Sequence, residues 1–179
     1  MSTTQYAILG LLSIEPMSGY DIRQNFAESL SYFWSESYGQ IYPTLRKLEL
    51  SRLITPVRQA APDTRRRKVY TLTAAGRERL RVWLAEPPKP QPPRYELLLK
   101  LFFGRHAPPG ACAAHLRRLR VQQERLTATL EGIEKQLKLE RRGHPDLRYW
   151  LTAVSFGIDR AEALIDWTEH ALQALQGAS

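Results

Sequence analysis

Cysteine occurs once in this 179-residue chain, and the single Cys112 permits neither an intramolecular disulfide nor a cysteine-based zinc site, which suits a reducing compartment. Long apolar runs are also missing. The best candidate, Leu97 to Phe103, is broken by Lys100 and is far shorter than the ~20 residues needed to cross a bilayer. No basic segment precedes the apolar stretch of the first sixteen residues, so the N-terminus does not read as a secretory signal, and a cytoplasmic location without membrane contact is expected. His106, His115, His144 and His170 share no metal-ligand spacing and read as surface or capping residues. A glycine-rich phosphate loop and a nucleophile elbow are both absent, so the sequence asks for no catalysis, no metal and no cofactor.

What the chain has is positive charge on an ordinary folded composition: 26 Lys and Arg against 18 Asp and Glu, a net charge of +8, with 43% hydrophobic residues. Residues 1–86 and 87–179 each carry +4, so neither half is a basic tail. The placement is more informative. Residues 40–69 hold Arg46, Lys47, Arg52, Arg58, Arg65, Arg66, Arg67 and Lys68 against only Glu49 and Asp63. Taken alone, such a run is a solvated face.

The segment 87–93, PPKPQPP, holds five of the twelve prolines and separates two flanks as a short, stiff spacer. In the first flank, residues 1–86, Tyr6, Leu9 and Leu12 mark a helix stopped at Glu15-Pro16. Ser18 is the expected N-cap of a second helix with Tyr20, Ile22, Phe26 and Leu30 on its apolar side. A third helix over about 39–51 buries Ile41, Leu45 and Leu48 and turns Gln40, Thr44 and Lys47 elsewhere; Pro43 restricts its start to near Ser37 or Tyr38. Two strands follow, Leu53 to Gln59 and Arg67 to Leu72, bridged by a Pro-Asp turn, with Pro56 requiring a sheet edge. A helix from about Thr73 to Glu86 turns Leu80, Trp83 and Leu84 inward. Three helices, two strands and a helix are the order of a winged helix-turn-helix. On that frame the third helix can enter the major groove, with Gln40 and Thr44 toward base edges, Arg46 and Lys47 toward phosphates, and Arg65, Arg66, Arg67 and Lys68 on a wing that straddles the backbone.

The segments LGLLSIEPMSGYDI (9–22), SYGQIYPTLRKLE (37–49) and RKVYTLTAAGR (67–77) resemble the PadR family of bacterial transcriptional regulators. The resemblance implies a winged helix-turn-helix that binds operator DNA as a homodimer, usually as a repressor. Its DNA-reading helix corresponds to Ser37, Tyr38, Gly39, Gln40, Tyr42, Pro43, Thr44 and Lys47, and its wing to Arg65 through Lys68. Where members of the family commonly have glycine, this chain has Arg52. Glycine there would end the helix in a left-handed conformation, so the turn is expected to be rebuilt or strained by about 1 kcal/mol, with Arg52 a further candidate phosphate contact.

The second flank, 94–179, opens with a short apolar helix from Arg94, ended by Gly104. Then Cys112, Leu116, Leu119, Gln123, Leu126, Leu130, Ile133 and Leu137 alternate spacings of four and three, a heptad seam in which a buried Cys112 would be inert. Leu147, Leu151, Val154, Ile158, Ala161, Ile165, Thr168, Leu172 and Leu175 continue the same alternation in the last helix. Pairing within one chain as an antiparallel hairpin around Arg141 to Pro145 satisfies part of the demand. A second copy would bury the rest, making Leu116, Leu119, Leu126, Leu130, Ile133, Leu151, Val154, Ile158 and Ile165 candidate dimerisation residues. This half resembles the helical dimerisation domain of the virulence activator subgroup of PadR regulators. Small aromatic effectors bind several PadR-like regulators at the dimer interface; here Trp150 and Trp167, near the small residues Ala153, Gly157 and Ala161, are the candidate walls, with plain core packing as the competing reading. Arg117, Arg118 and Arg120 read as solvent-facing. The expected protein is a mainly α, two-domain, DNA-binding repressor relieved by a small molecule; the alternative is a helical adaptor that uses the same frame to bind another protein.

Overall fold

Serine caps and a proline stop organise the first helix-turn-helix. In the computed structural model, which describes residues 1–34, 38–57, 68–90 and 94–176 with the Tyr38 side chain excepted, α1 spans Thr3–Ile14. Ser2 and Gln5 form a reciprocal capping box at its start. Pro16 lies beyond its end, and β1, Met17–Ser18, follows directly. Ser18 then serves twice. Its backbone pairs with Val69 of a later strand, while its side chain accepts from the Asp21 N–H and Asp21 bonds back, starting α2 at Gly19–Asn25. A wider turn, Phe26–Leu30, extends α2. Ile22 and Phe26 are buried, whereas Tyr20 is 48% exposed and so does not share their face.

The third helix begins later than the sequence suggests. A tight 3₁₀ turn, Tyr38–Gln40, leads into α3, Ile41–Leu50. Pro43 has no N–H to offer the Gly39 carbonyl, so regular α bonding cannot extend back through that position. Ile41, Thr44, Leu45 and Leu48 are its buried residues, the i, i+3, i+4, i+7 stripe of a helix laid on a core. Thr44, at 7% exposure, therefore belongs to the core face.

The end of α3 is a Schellman motif built with arginine. Leu53 N–H donates to the Leu48 carbonyl and Arg52 N–H to that of Glu49, and Arg52 takes φ 56°, the one positive φ of a non-glycine among the described residues. The expected strain is thus present, and the turn is not rebuilt. Thr73 locks onto it: its hydroxyl donates to the Arg52 carbonyl at 2.9 Å, and its backbone N–H donates to the Leu53 carbonyl. Thr73 also caps α4, Ala74–Ala85, by accepting from Gly76 N–H. Gly76 lies so close to the Leu53 carbonyl that any Cβ there would collide with it.

The sheet order is β1-β3-β2, all antiparallel, with β2 at Ile54–Pro56 and β3 at Val69–Leu72. β2 starts after Leu53, which is used in the helix cap, and Val57 and Lys68 lie outside the strands; Arg58, Gln59 and Arg67, expected within them, lie outside the described residues. Pro56 does sit on an edge strand, where its missing donor costs no ladder bond. The core gathers Ile8, Leu9, Leu12, Ile22, Ile41, Leu45, Leu48, Ile54 and Leu80. Trp83 stacks on Tyr6 with ring centres 4.6 Å apart; Leu84, expected inward, is 68% exposed, in the last turn of α4.

The chain divides into two compact units, Met1–Pro90 and Gln91–Ser179. In the second, α5 is Glu96–Phe102, and Gly104 opens a further 3₁₀ turn beyond it. The helices α6, Ala111–Glu140, and α7, Leu147–Gln176, form an antiparallel hairpin with Gly143 at φ 83° in its turn. Two contacts fix the register: Arg120 pairs with Glu169 at 3.1 Å, and a Cβ at Gly157 would lie 2.7 Å from Leu130 Cδ1. The two seven-residue seams therefore face each other within one chain. Leu116 and Leu130, expected between copies, are 0% and 3% exposed and have no surface left for a partner. Leu119, Leu126, Ile133, Leu151, Val154, Ile158 and Ile165 remain half-buried, while Leu175, at the open end, is exposed.

Candidate nucleic-acid interface

With one stripe of α3 committed to the core, the opposite side presents Gly39 and Gln40 from the preceding turn and Tyr42, Pro43, Arg46 and Lys47 from the helix, all exposed. An amide, a phenol and two cations thus share one solvent face. Thr44, expected among them, is a correction: its position between Ile41 and Leu45 puts its short side chain inward, away from any base edge. Ser37 and the wing residues Arg65, Arg66 and Arg67 lie outside the described residues, as does the Tyr38 side chain.

Tyr42 has a platform that sequence reasoning passed over. A Cβ at Gly19 would stand 2.7 Å from Tyr42 Cε1 and 3.2 Å from Leu45 Cδ1, so the ring lies directly over the first residue of α2. The glycine in MSGYD is the available signal, legible only once α2 and α3 are known to pack.

Lys68, the first described residue after the wing, is engaged. Its Nζ donates to both carboxylate oxygens of Glu49, at 2.7 and 2.8 Å, and sits 5.2 Å from the centre of the Tyr70 ring. Hydrogen bonding to Glu49 is the leading cause that raises its pKa above 10.5, so the side chain is charged at neutral pH and its charge is matched locally. Glu49, which the sequence showed only as a negative charge within a basic run, is the acceptor.

In the second unit, Trp150 stacks on His144 with ring centres 4.6 Å apart, and Trp167 is half-buried. They are seventeen residues apart on α7, about 25 Å along the axis, and cannot wall one pocket within a chain. The small residues beside them have another use. Gly157 receives Leu130, and Ala161 is buried, so both serve the close approach of α6 to α7. Among the described residues no cluster of histidine, cysteine and carboxylates could hold a metal ion, and no helix is long and apolar enough to cross a membrane.

The family description "Transcriptional regulator PadR-like family" matches residues 8–82, and "Virulence activator alpha C-term" matches 93–176. The negative transcriptional regulator PadR of Bacillus subtilis is 32% identical over 178 residues, an alignment covering 96% of this chain and 97% of that protein. The chain belongs to the PadR-like family of transcriptional regulators. It is a family of regulators, not of enzymes. A second relative, a probable transcriptional regulator of Mycobacterium tuberculosis, is 30% identical over 186 residues, with 96% of each chain covered. Among solved structures, B. subtilis PadR in complex with operator DNA superposes with a TM-score of 0.83 at 30% identity, over 97% of this chain and 99% of that one. The same protein in complex with p-coumaric acid gives 0.78, over 98% and 99%. The Vibrio cholerae virulence activator AphA gives 0.77 at 26% identity, over 98% and 99%. The mainly α winged-helix fold with a C-terminal helical region is the fold of these PadR and AphA structures.

Proposed function

We propose that the chain is a homodimeric, cytoplasmic repressor that reads operator DNA with the exposed side of α3 and is released by a small aromatic acid. The separation of faces on α3 carries the reading: the core takes Ile41, Thr44, Leu45 and Leu48, leaving Gln40, Tyr42, Pro43, Arg46 and Lys47 together on the outside. Gln40 can pair bidentately with adenine, while Arg46 and Lys47 neutralise phosphates and gain from counterion release. The wing, Arg65 to Arg67, is the expected second anchor on the backbone. The likeness to B. subtilis PadR, solved with operator DNA, supports DNA as the partner.

One such helix reads a few base pairs, and two copies are needed to read half-sites about 34 Å apart. A second copy would cover the outer surfaces that Leu119, Leu126, Ile133, Leu151, Val154, Ile158 and Ile165 retain. Release by an aromatic acid rests on the p-coumaric acid complex of the relative and on the indoles of Trp150 and Trp167, which could meet a ligand only separately or across copies.

Fluorescence anisotropy with a fragment of the chain's own promoter region, against random duplex at ~0.15 M salt, tests the central statement. Specific binding should exceed random binding by ~10³ or more. Equal affinities would overturn DNA reading and leave the adaptor role. Weakening of the specific complex by p-coumaric acid checks the effector separately.

A further inference from the structure

Two cationic side chains of the basic run, Arg46 and Lys47, stand on the exposed side of α3, but Lys68 is turned back against the protein. Both carboxylate oxygens of Glu49 accept from its Nζ, at 2.7 and 2.8 Å, and the Tyr70 ring lies beneath. Glu49 belongs to the last turn of α3, and Lys68 immediately precedes β3. Tyr70 is buried on the central strand, where it pairs with Met17 on one side and Pro56 on the other. The last bond between the two strands among the described residues lies close by, from Val57 N–H to the Val69 carbonyl. The Glu49–Lys68 contact therefore ties the end of α3 to the start of β3.

We propose that Glu49 and Lys68 form a strut that holds the start of β3 against the end of α3, making Lys68 a positioning residue for DNA binding instead of a phosphate ligand. This rests on the DNA-binding reading above. A lysine that reaches phosphate is drawn away from carboxylates, whereas here both oxygens of one carboxylate hold it and cancel its charge. A strut acts by fixing where β3 begins relative to the exposed side of α3, so that this geometry is already set when DNA arrives.

The two roles predict opposite signs for one substitution. In a strut, Glu49→Gln and Lys68→Gln each weaken operator binding, by about three- to fivefold for a surface pair. The double variant is no weaker than either single one, and the slope of log affinity against log salt stays that of the parent. The charge-swapped Glu49→Lys/Lys68→Glu pair restores affinity. In a phosphate contact, Lys68→Gln lowers the salt slope by about 0.9, Glu49→Gln frees the lysine and tightens binding, and the swap rescues nothing. Anisotropy titrations of the full chain on operator DNA at four salt concentrations decide between them, with circular dichroism to confirm folded variants. Slope loss, tighter binding by Glu49→Gln, or no effect of either substitution overturns the strut. Failure of the parent itself to prefer operator over random duplex overturns the underlying reading, and the strut's role with it.

Discussion

Replacing Arg52 with glycine should stabilise the protein, although it removes a charged side chain from the surface. Arg52 holds φ 56° because it closes the Schellman motif of α3, with its N–H on the Glu49 carbonyl and the Leu53 N–H on that of Leu48. A residue with a Cβ pays about 1–2 kcal/mol in that region. Glycine removes this cost but loses about 0.4–1 kcal/mol through its freer unfolded chain. The net expectation for Arg52→Gly is a gain of about 0.5–1 kcal/mol. With a urea m-value of about 2 kcal/mol/M, the midpoint rises by about 0.25–0.5 M. Arg52→Ala is the control, since it deletes the charge and the long side chain but keeps the Cβ. Its midpoint should stay near that of the parent. An equal rise for Arg52→Ala would refute the backbone argument and place the cost in repulsion within the basic run. The same two variants settle the phosphate contact suggested by the sequence: unchanged operator affinity and salt slope in Arg52→Ala remove Arg52 from the interface.

At Gly76, alanine should cost about 2–3 kcal/mol, because its Cβ meets the Leu53 carbonyl backbone and the start of α4 must shift; denaturant unfolding would show the loss. Thr44→Val should leave operator selectivity unchanged, whereas Gln40→Ala should relax it at one base-pair position by about 1–3 kcal/mol, as measured by competition with single-substitution operators. The raised pKa of Lys68, caused first by its bond to Glu49, means that the strut is fully present below 10.5 and lost as pH rises through the raised value. The difference in melting temperature between the parent and Lys68→Gln should therefore be flat from about pH 7 to 9 and shrink only in strong base.

Elements held by local chemistry were legible in the sequence. Ser18 capped where expected, Pro16 and Pro56 marked a helix stop and an edge strand, and the missing glycine at position 52 pointed to the strained turn. Elements held by distant partners were not. The strand Met17–Ser18 is too short to show alternation and exists because β3 lies beside it. Thr44 reads as polar, yet its place in the 41, 44, 45, 48 stripe outweighs its hydroxyl. The heptads of α6 and α7 gave the packing period but not the partner, and Leu130 against Gly157 shows that much of the seam closes within one chain. Glu49 was counted as a charge because nineteen positions of sequence separate it from the lysine it holds.

The two faces of α3 are distinct: the four residues that hold the helix on the core are buried, and Gln40, Pro43, Arg46 and Lys47 are exposed, while Tyr42, also exposed, lays its ring on Gly19. Changes at Gln40, Arg46 or Lys47 can therefore alter which DNA is preferred with little effect on folding. New operator preferences can arise one substitution at a time without passing through unfolded intermediates, and a combinatorial library confined to those positions should yield mostly folded proteins.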